Sequence, residues 1–335
     1  MALEITWFGL VVLLLAIYAI LDGFDLGVGF WHLFGRDEEE KRINFKAIGP
    51  VWDGNEVWLL TGGGAMFAAF PPVYATIFSG FYLALILLLF GLIFRAIALE
   101  FRGQSESPVW RRNWDLAFGL GSSLVAILLG TALGNVLAGL PLDANGDYYG
   151  GLLGLLRPWP VLCGLGGLAL LAVQGAAWMV LKTDGTLRDT YKKRLHQAWI
   201  GFTSLYVLTI ILAFFLAPEL VARAMSRGAF VWPLEALSLA LLVAIPLLAG
   251  AGKDLFTFLA SSGFILLLFA LAAATLFPIL VPSVPEAAHS LTAHNSAAGQ
   301  KSLGTMLVVA LLGVPIVLAY TVYIYKTFLG RITKA

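Results

Sequence analysis

The chain has 335 residues, of which 60% are hydrophobic and only 12% are charged. Such a composition leaves too little polar surface for a water-soluble globule, so the sequence predicts an integral membrane protein. The net charge of +1, from 21 basic and 20 acidic residues, gives no indication of a nucleic acid partner.

Apolar stretches of about 20 residues, the length at which a helix crosses a bilayer, recur along the chain. They predict nine transmembrane helices, near residues 5–34, 52–71, 73–98, 114–139, 158–181, 196–217, 230–250, 255–282 and 302–328. The predicted fold class is therefore an all-α integral membrane protein. Residues 1–335 are expected to form a single polytopic membrane domain, because the longest connections, near 139–157 and 283–301, are too short for a soluble domain.

The basic residues predict the orientation of these spans. All but four of the 21 fall in the C-terminal segment or in connections that share its side of the membrane; the exceptions are Arg157, Arg223, Arg227 and Lys301. Lys and Arg are enriched in cytoplasmic loops. The N-terminus is therefore predicted outside and the C-terminus in the cytoplasm.

The first span contains two carboxylates in an otherwise apolar run, Asp22 and Asp25. With entry near Thr6 and a rise of 1.5 Å per residue, they lie roughly 24 and 28 Å down, in the cytoplasmic part of a core about 30 Å thick. Three residues apart, they share one helix face. Carboxylates inside a bilayer are costly, and those that occur mark proton or ion pathways.

Four more carboxylates are predicted to lie in the same cytoplasmic layer. Asp53 and Glu56 open the second span, Glu100 ends the third and Asp115 begins the fourth. Carboxylates crowded in this way raise one another's pKa, and groups that stay partly protonated can relay protons.

Each of these groups also has a structural interpretation. The pair in the first span could be satisfied by neighbouring helices or by basic residues at the cytoplasmic ends. Asp53 and Glu56 could be first-turn acids favoured by the helix dipole. For Glu100 and Asp115, which lie near arginines, headgroup-level ion pairs are the favoured interpretation.

Residues for a redox centre are scarce. The single cysteine, Cys163, excludes a disulfide within the chain and a cysteine-held iron–sulfur cluster. A membrane haem requires a ligand inside a span, whereas His32 and His196 lie near cytoplasmic span ends, and His289 and His294 lie in an external loop. The chain is therefore expected to bind neither haem nor metal.

Several motifs along the chain are specific enough to indicate a family. The most specific are residues 21–29 (LDGFDLGVG), 49–59 (GPVWDGNEVWL) and 63–71 (GGAMFAAFP). Further motifs are 94–95 (FR), 100–102 (EFR), 110–111 (WR), 114–115 (WD), 174–176 (QGA), 277–278 (FP) and 328–332 (FLGRI). Together they closely resemble subunit II of the cytochrome bd quinol oxidases, and the resemblance covers nearly the whole chain.

The resemblance implies a quinol:O2 oxidoreductase in the cytoplasmic membrane of a prokaryote, acting as a terminal oxidase of the respiratory chain. In that family the partner in the heterodimer, subunit I, carries two b haems and one d haem, oxidises quinol and reduces oxygen to water. Subunit II is a haem-free partner with two four-helix bundles plus one extra helix. The resemblance leaves open which quinol is used, whether a structural quinone or lipid lodges in this chain, and whether small single-helix accessory subunits join the complex.

The resemblance also assigns residues. The aspartates matching Asp25 and Asp53 lie on the family's proposed proton route from the cytoplasm. Asp22, Glu56, Asn55 and Trp52 belong to the same motifs, and Glu100 is an additional candidate for the route. Some family members have Gln at the Glu56 position, so ionisation there is not required.

Two other functions remain open from the residues alone. A secondary transporter or proton channel could use the aspartate pair for a coupling ion, but no inverted repeat is detectable. A purely structural assembly subunit would differ only in its tolerance of Asp substitutions.

Overall fold

The computed structural model describes residues 2–328 and 330–332. The first helices are α1 (Ala2–His32), α2 (Glu38–Ile48), α3 (Trp52–Ala69), α4 (Pro71–Gly80), α5 (Tyr82–Phe101), α6 (Pro108–Ala138) and α7 (Gly151–Leu155). The remaining helices are α8 (Pro158–Lys182), α9 (Gly185–Leu216), α10 (Pro218–Ser226), α11 (Gly228–Gly250), α12 (Asp254–Leu276) and α13 (Gln300–Thr327). Two short antiparallel strands, β1 (Ile279–Val281) and β2 (Leu291–Thr292), form a ribbon between α12 and α13.

Eight helices in the described part of the chain are long and apolar enough to cross a membrane. They are α1, α5 with its short 3-10 extension to Gln104, α6, α8, α9, α11, α12 and α13. The helix matching the second predicted span, α3, has 18 residues and is not among the eight. The all-α membrane architecture is thus confirmed, whereas the count of nine is not.

Two predicted spans end or begin elsewhere. The third, expected from residue 73, is divided at Phe81 into the short α4 and the long α5, and Tyr148 packs closely over Gly80 at the break. The eighth, expected to reach residue 282, ends at Leu276. Pro278 disfavours helical backbone at the residue before it and has no N–H for a helical hydrogen bond, so the chain turns into β1.

Two other helices begin before their apolar segments. The helix α6 starts at Pro108, because proline suits the first helical position, and α9 starts at Gly185 and carries charged turns before its apolar part. Hydropathy alone identifies only the part of a helix that lies in lipid.

Helix α1 lies at the centre and packs against α3, α6, α8 and α12. Its approach to α8 is so close that the backbones touch: a Cβ on Gly27 would overlap the Leu171 carbonyl, and one on Gly175 would overlap the backbone of Gly27. Small residues at helix crossings allow such contact in membranes. Beside this crossing, the rings of Phe24 and Trp178 stack with centroids 4.3 Å apart.

We call the end of the bundle where α1, α5, α8, α11 and α13 finish, and where α3, α6, α9 and α12 start, the charged end. The ribbon and the residues preceding α8 lie at the opposite end. There Trp7 Nε1 donates to the Leu303 carbonyl over 3.1 Å.

Candidate functional site

The two carboxylates of α1 are completely buried. Asp22 and Asp25 are each 0% exposed. Charges are removed from solvent in this way only where other groups compensate them. The compensation comes from three other helices and differs between the two residues.

Asp22 forms a bidentate ion pair with Arg95 of α5. Arg95 Nη1 donates to Asp22 Oδ2 over 2.8 Å, and Nη2 donates to Oδ1. The Arg95 side chain is also 0% exposed. Parallel N–H···O bonds of this kind are the strongest that a carboxylate makes. Both Asp22 oxygens are therefore engaged, as the structural interpretation of this residue expects.

Asp25 is held by an amide instead of a cation. Asn55 Nδ2 on α3 donates to Asp25 Oδ2 over 2.8 Å and also reaches the Leu21 carbonyl at 3.3 Å. Asp25 Oδ1 is buried and has no hydrogen-bond partner among the described residues. Tyr325 of α13 donates its hydroxyl proton to Asn55 Oδ1 over 2.8 Å. One oxygen of Asp25 thus remains available to accept a proton.

The other carboxylates of the predicted route become more exposed towards the charged end. Glu56 is partly buried and lies within electrostatic range of Asp22 and Arg95. Asp53, in the first turn of α3, is exposed, and the neighbouring Trp52 is partly buried.

Glu100, at the end of α5, is exposed. Of the residues predicted for the proton route and its motifs, Asp25 and Asn55 are joined by a direct hydrogen bond. Asp22 lies one helical turn before Asp25. Glu100 lies outside the cluster formed by Asp22, Asp25 and their partners.

Asp115 organises a second cluster at the charged end. His32 Nε2 lies 2.7 Å from Asp115 Oδ1, Lys41 Nζ lies 3.0 Å from Oδ2, and Arg102 also donates to this carboxylate. The sequence favoured ion pairs at the level of the headgroups for Asp115. The ion pairs are present, but the carboxylate is only 6% exposed.

Further ion pairs tie the connecting segments to the charged end. Arg194 of α9 pairs with Glu40 of α2, and Arg188 Nη2 lies 2.7 Å from Asp254 Oδ1. Lys182 donates to the Phe328 carbonyl and, over 2.9 Å, to the Gly330 carbonyl. These contacts hold Phe328 and Gly330 against the end of α8.

Sequence reasoning missed the residues that complete the site. A lone arginine in the apolar run of α5 was a usable signal for Arg95 as the partner of a membrane carboxylate. Tyr325 gave no such signal, because tyrosines near span ends are common in membrane helices. His32 was placed at a span end without its contact to Asp115.

His32 is fully buried. The ring of His32 has edge contacts with Phe45 and Phe118, at centroid distances of 4.8 and 5.2 Å, and its Nε2 faces Asp115. Within the described residues, no three or more His, Cys, Asp or Glu side chains form a group suited to a metal ion.

Comparison with known proteins identifies the family. Residues 3–328 match the family model described as "Cytochrome bd terminal oxidase subunit II". The chain belongs to this family. Membership confirms the resemblance seen in the N-terminal motifs, and it favours the oxidase interpretation over a transporter.

Curated relatives in the subunit II family match along nearly their whole length. The chain is 34% identical to "Cytochrome bd-I ubiquinol oxidase subunit 2" of Escherichia coli strain K12, with 99% of this chain and 96% of that protein covered. It is 34% identical to "Probable cytochrome oxidase subunit 2" of Haemophilus influenzae, covering 98% and 95%. It is 32% identical to "Cytochrome bd ubiquinol oxidase subunit 2" of Bacillus subtilis, covering 98% and 96%.

A solved structure supports the fold of this subunit II chain. A chain in "The structure of bd oxidase from Geobacillus thermodenitrificans" superposes with a TM-score of 0.79, covering 98% of this chain and 99% of that chain. The sequence identity is 18%, so this likeness concerns the fold.

Proposed function

We propose that the chain acts as the haem-free subunit II of a cytochrome bd-type quinol oxidase in the cytoplasmic membrane of a bacterium. In this proposal it forms a heterodimer with subunit I, which carries two b haems and one d haem. Quinol supplies the electrons, and oxygen is reduced to water on subunit I. The chain contributes to proton uptake from the cytoplasm and carries no electrons.

The proposed topology has nine spans, with α3 as the ninth, arranged as two four-helix bundles plus one extra helix. Eighteen residues of α3 extend about 27 Å, close to the thickness of the hydrocarbon core. At the charged end Asn55 of α3 contacts Asp25, and at the opposite end the Ala69 carbonyl accepts a bond from Ala298 N over 2.9 Å. The basic residues favour a cytoplasmic charged end and an external N-terminus.

The observation that carries the proton proposal is the unpaired oxygen of Asp25. The carboxylate is fully buried, and its Oδ1 has no partner in the described part of the chain. Along α3, exposed Asp53 lies nearer the charged end than Asn55, the partner of Asp25, and partly buried Glu56 follows Asn55. In this proposal protons enter near exposed Asp53 and pass to fully buried Asp25, so that their solvent exposure falls along the route. Glu56 assists the transfer.

Asp22 has a different role in this scheme. Both of its oxygens are bound by Arg95, so it is a poor proton carrier. The pair instead places a fixed cation and anion beside Asp25. Trp52 is the first residue of α3 and is partly buried, and Glu100, which is exposed, would act at most at the cytoplasmic surface.

The test uses the complex purified in mild detergent through a tag on this chain. A reduced-minus-oxidised spectrum and quinol-driven oxygen consumption are recorded on the same sample. We expect a larger haem-bearing subunit with d-type absorbance to co-purify. A colourless and inactive preparation from cells that make the complex would contradict the oxidase proposal.

The proton route is tested with Asp25→Asn and Asp53→Asn in that complex. A matched control is Glu106→Gln, an exposed acid in the connection before α6. We expect both Asp variants to slow oxygen consumption by about 100-fold or more, since one positioned proton-transfer group contributes about 100- to 10,000-fold, while the control keeps wild-type turnover. If both variants retain normal turnover and haem spectra, the route does not include these residues.

A further inference from the structure

The buried carboxylate of Asp25 is the end of a hydrogen-bond chain that crosses three helices. The hydroxyl of Tyr325 on α13 donates to Asn55 Oδ1, and Asn55 Nδ2 on α3 donates to Asp25 Oδ2 on α1, each over 2.8 Å. Asn55 is 1% exposed and Asp25 is 0% exposed. The bond between Asn55 and Asp25 is therefore shielded from water, and Tyr325 is partly buried.

The amide of Asn55 presents its donor end to the carboxylate, and the tyrosine satisfies its acceptor end. A carboxamide has a donor end and an acceptor end, and an ionised carboxylate can only accept. The NH2 group therefore points to Asp25, and it also reaches the Leu21 carbonyl, which can only accept, at 3.3 Å. In this orientation Oδ1 of Asn55 faces Tyr325, which donates its hydroxyl proton to it.

Tyr325 is itself fixed from two sides. Its ring makes edge contacts with Trp178 and Phe24, at centroid distances of 5.9 and 6.3 Å. Just after it, Lys182 binds the Phe328 carbonyl, and the Ile332 amide donates to the Lys182 carbonyl over 2.8 Å. The last turn of α13 cannot rotate without breaking these contacts.

We propose that Tyr325 and Asn55 are positioning residues for Asp25. They hold Oδ2 as an acceptor and leave Oδ1 as the oxygen that gains and loses the proton. The proton adds to Oδ1 to give the neutral acid and leaves from the same atom, and no electron moves in this step. The proposal rests on the proposed function, in which Asp25 exchanges a proton during turnover.

The amide does not conduct the proton in this arrangement. A carboxamide does not titrate in the physiological range, and Asn55 is occupied by its three hydrogen bonds. The chain therefore directs the exchange at Asp25 without carrying it. This distinguishes Tyr325 from a residue of the route itself.

The experiment compares Tyr325→Phe with Tyr323→Phe in the purified complex. The first variant removes one hydroxyl and keeps the ring against Trp178, whereas Tyr323 is 65% exposed on the same helix. Oxygen consumption is measured together with the infrared carboxyl C=O band of Asp25, identified by its loss in Asp25→Asn. We expect Tyr325→Phe to shift this band and to lower turnover about 2- to 10-fold, the equivalent of one hydrogen bond, while Tyr323→Phe matches wild type.

Three results would contradict the inference or its basis. An unshifted band in Tyr325→Phe overturns it even if turnover falls, because a merely structural role would then suffice. If Asp25→Asn has normal turnover, or if wild type has no Asp25-dependent band, the proposed proton role of Asp25 itself is wrong. If Tyr325→Phe does not assemble, Asn55→Ser is measured in its place, and an unchanged band there also overturns the inference.

Discussion

The buried pair of Asp22 and Arg95 makes a strong prediction about stability. Both side chains are 0% exposed, and two N–H···O bonds join them. Replacing Arg95 by Met leaves a bare carboxylate inside the protein. Breaking a buried pair in this way costs about 3–5 kcal/mol, because the remaining charge is no longer compensated. We expect Arg95→Met to lower the free energy of unfolding of the complex by about that amount.

The double variant separates the cost of a lone charge from the worth of the pair. Replacing a buried ion pair with apolar residues of similar volume is often neutral or stabilising. We therefore expect Asp22→Leu combined with Arg95→Met to recover most of the stability lost in the single variant. Unfolding is followed by tryptophan fluorescence while sodium dodecyl sulfate is titrated into detergent micelles that contain the complex.

The control is Arg112→Gln, which removes an exposed arginine at the start of α6. Its expected effect lies within about 0.5 kcal/mol. A loss of less than about 1 kcal/mol in Arg95→Met, or a double variant no more stable than that single variant, would refute the argument from an uncompensated charge.

Three further predictions follow from other contacts. Gly175→Ala places a Cβ against the backbone of α1 and should destabilise the complex by about 1–3 kcal/mol, whereas Gly201→Ala, with open space around it, should be neutral in the same titration. Asp115→Asn should cost about 3 kcal/mol by weakening a buried set of ion pairs; wild-type stability would contradict this. Backbone amides of Asp147 and Asn145 hold the pKa of Asp143 below its usual 3.8, so this loop should stay protected from hydrogen exchange above that pH and lose protection as the pH falls below it. Protection that does not depend on pH, after correction for intrinsic exchange, would contradict the loop prediction.

The apolar framework could be predicted from the sequence because the bilayer fixes its length scale. Any helix that crosses needs about 20 apolar residues, and the eight helices that meet this criterion all match predicted spans. The burial of Asp22 and Asp25 followed from their position within the first of these spans. The family could be inferred from the motifs around them.

The helix ends and the partners of the carboxylates could not be predicted in this way. The polar turns of α6 and α9 lie outside the apolar window, and the break at Phe81 depends on packing at Gly80. Contacts such as Tyr325 with Asn55 join residues far apart in the chain. Hydropathy describes the preference of each segment for lipid and contains no information on which faces meet.

The surroundings of Asp25 are completed by the last helix of the chain. A ribosome makes Asp25 first, Asn55 soon afterwards, and Tyr325 only when nearly all of the protein has been inserted. Until then, Asn55 lacks the donor that fixes its amide. The site at which we propose proton exchange is therefore assembled in the order of synthesis, and a chain cut short before α13 would leave Asp25 in the membrane with an untethered partner.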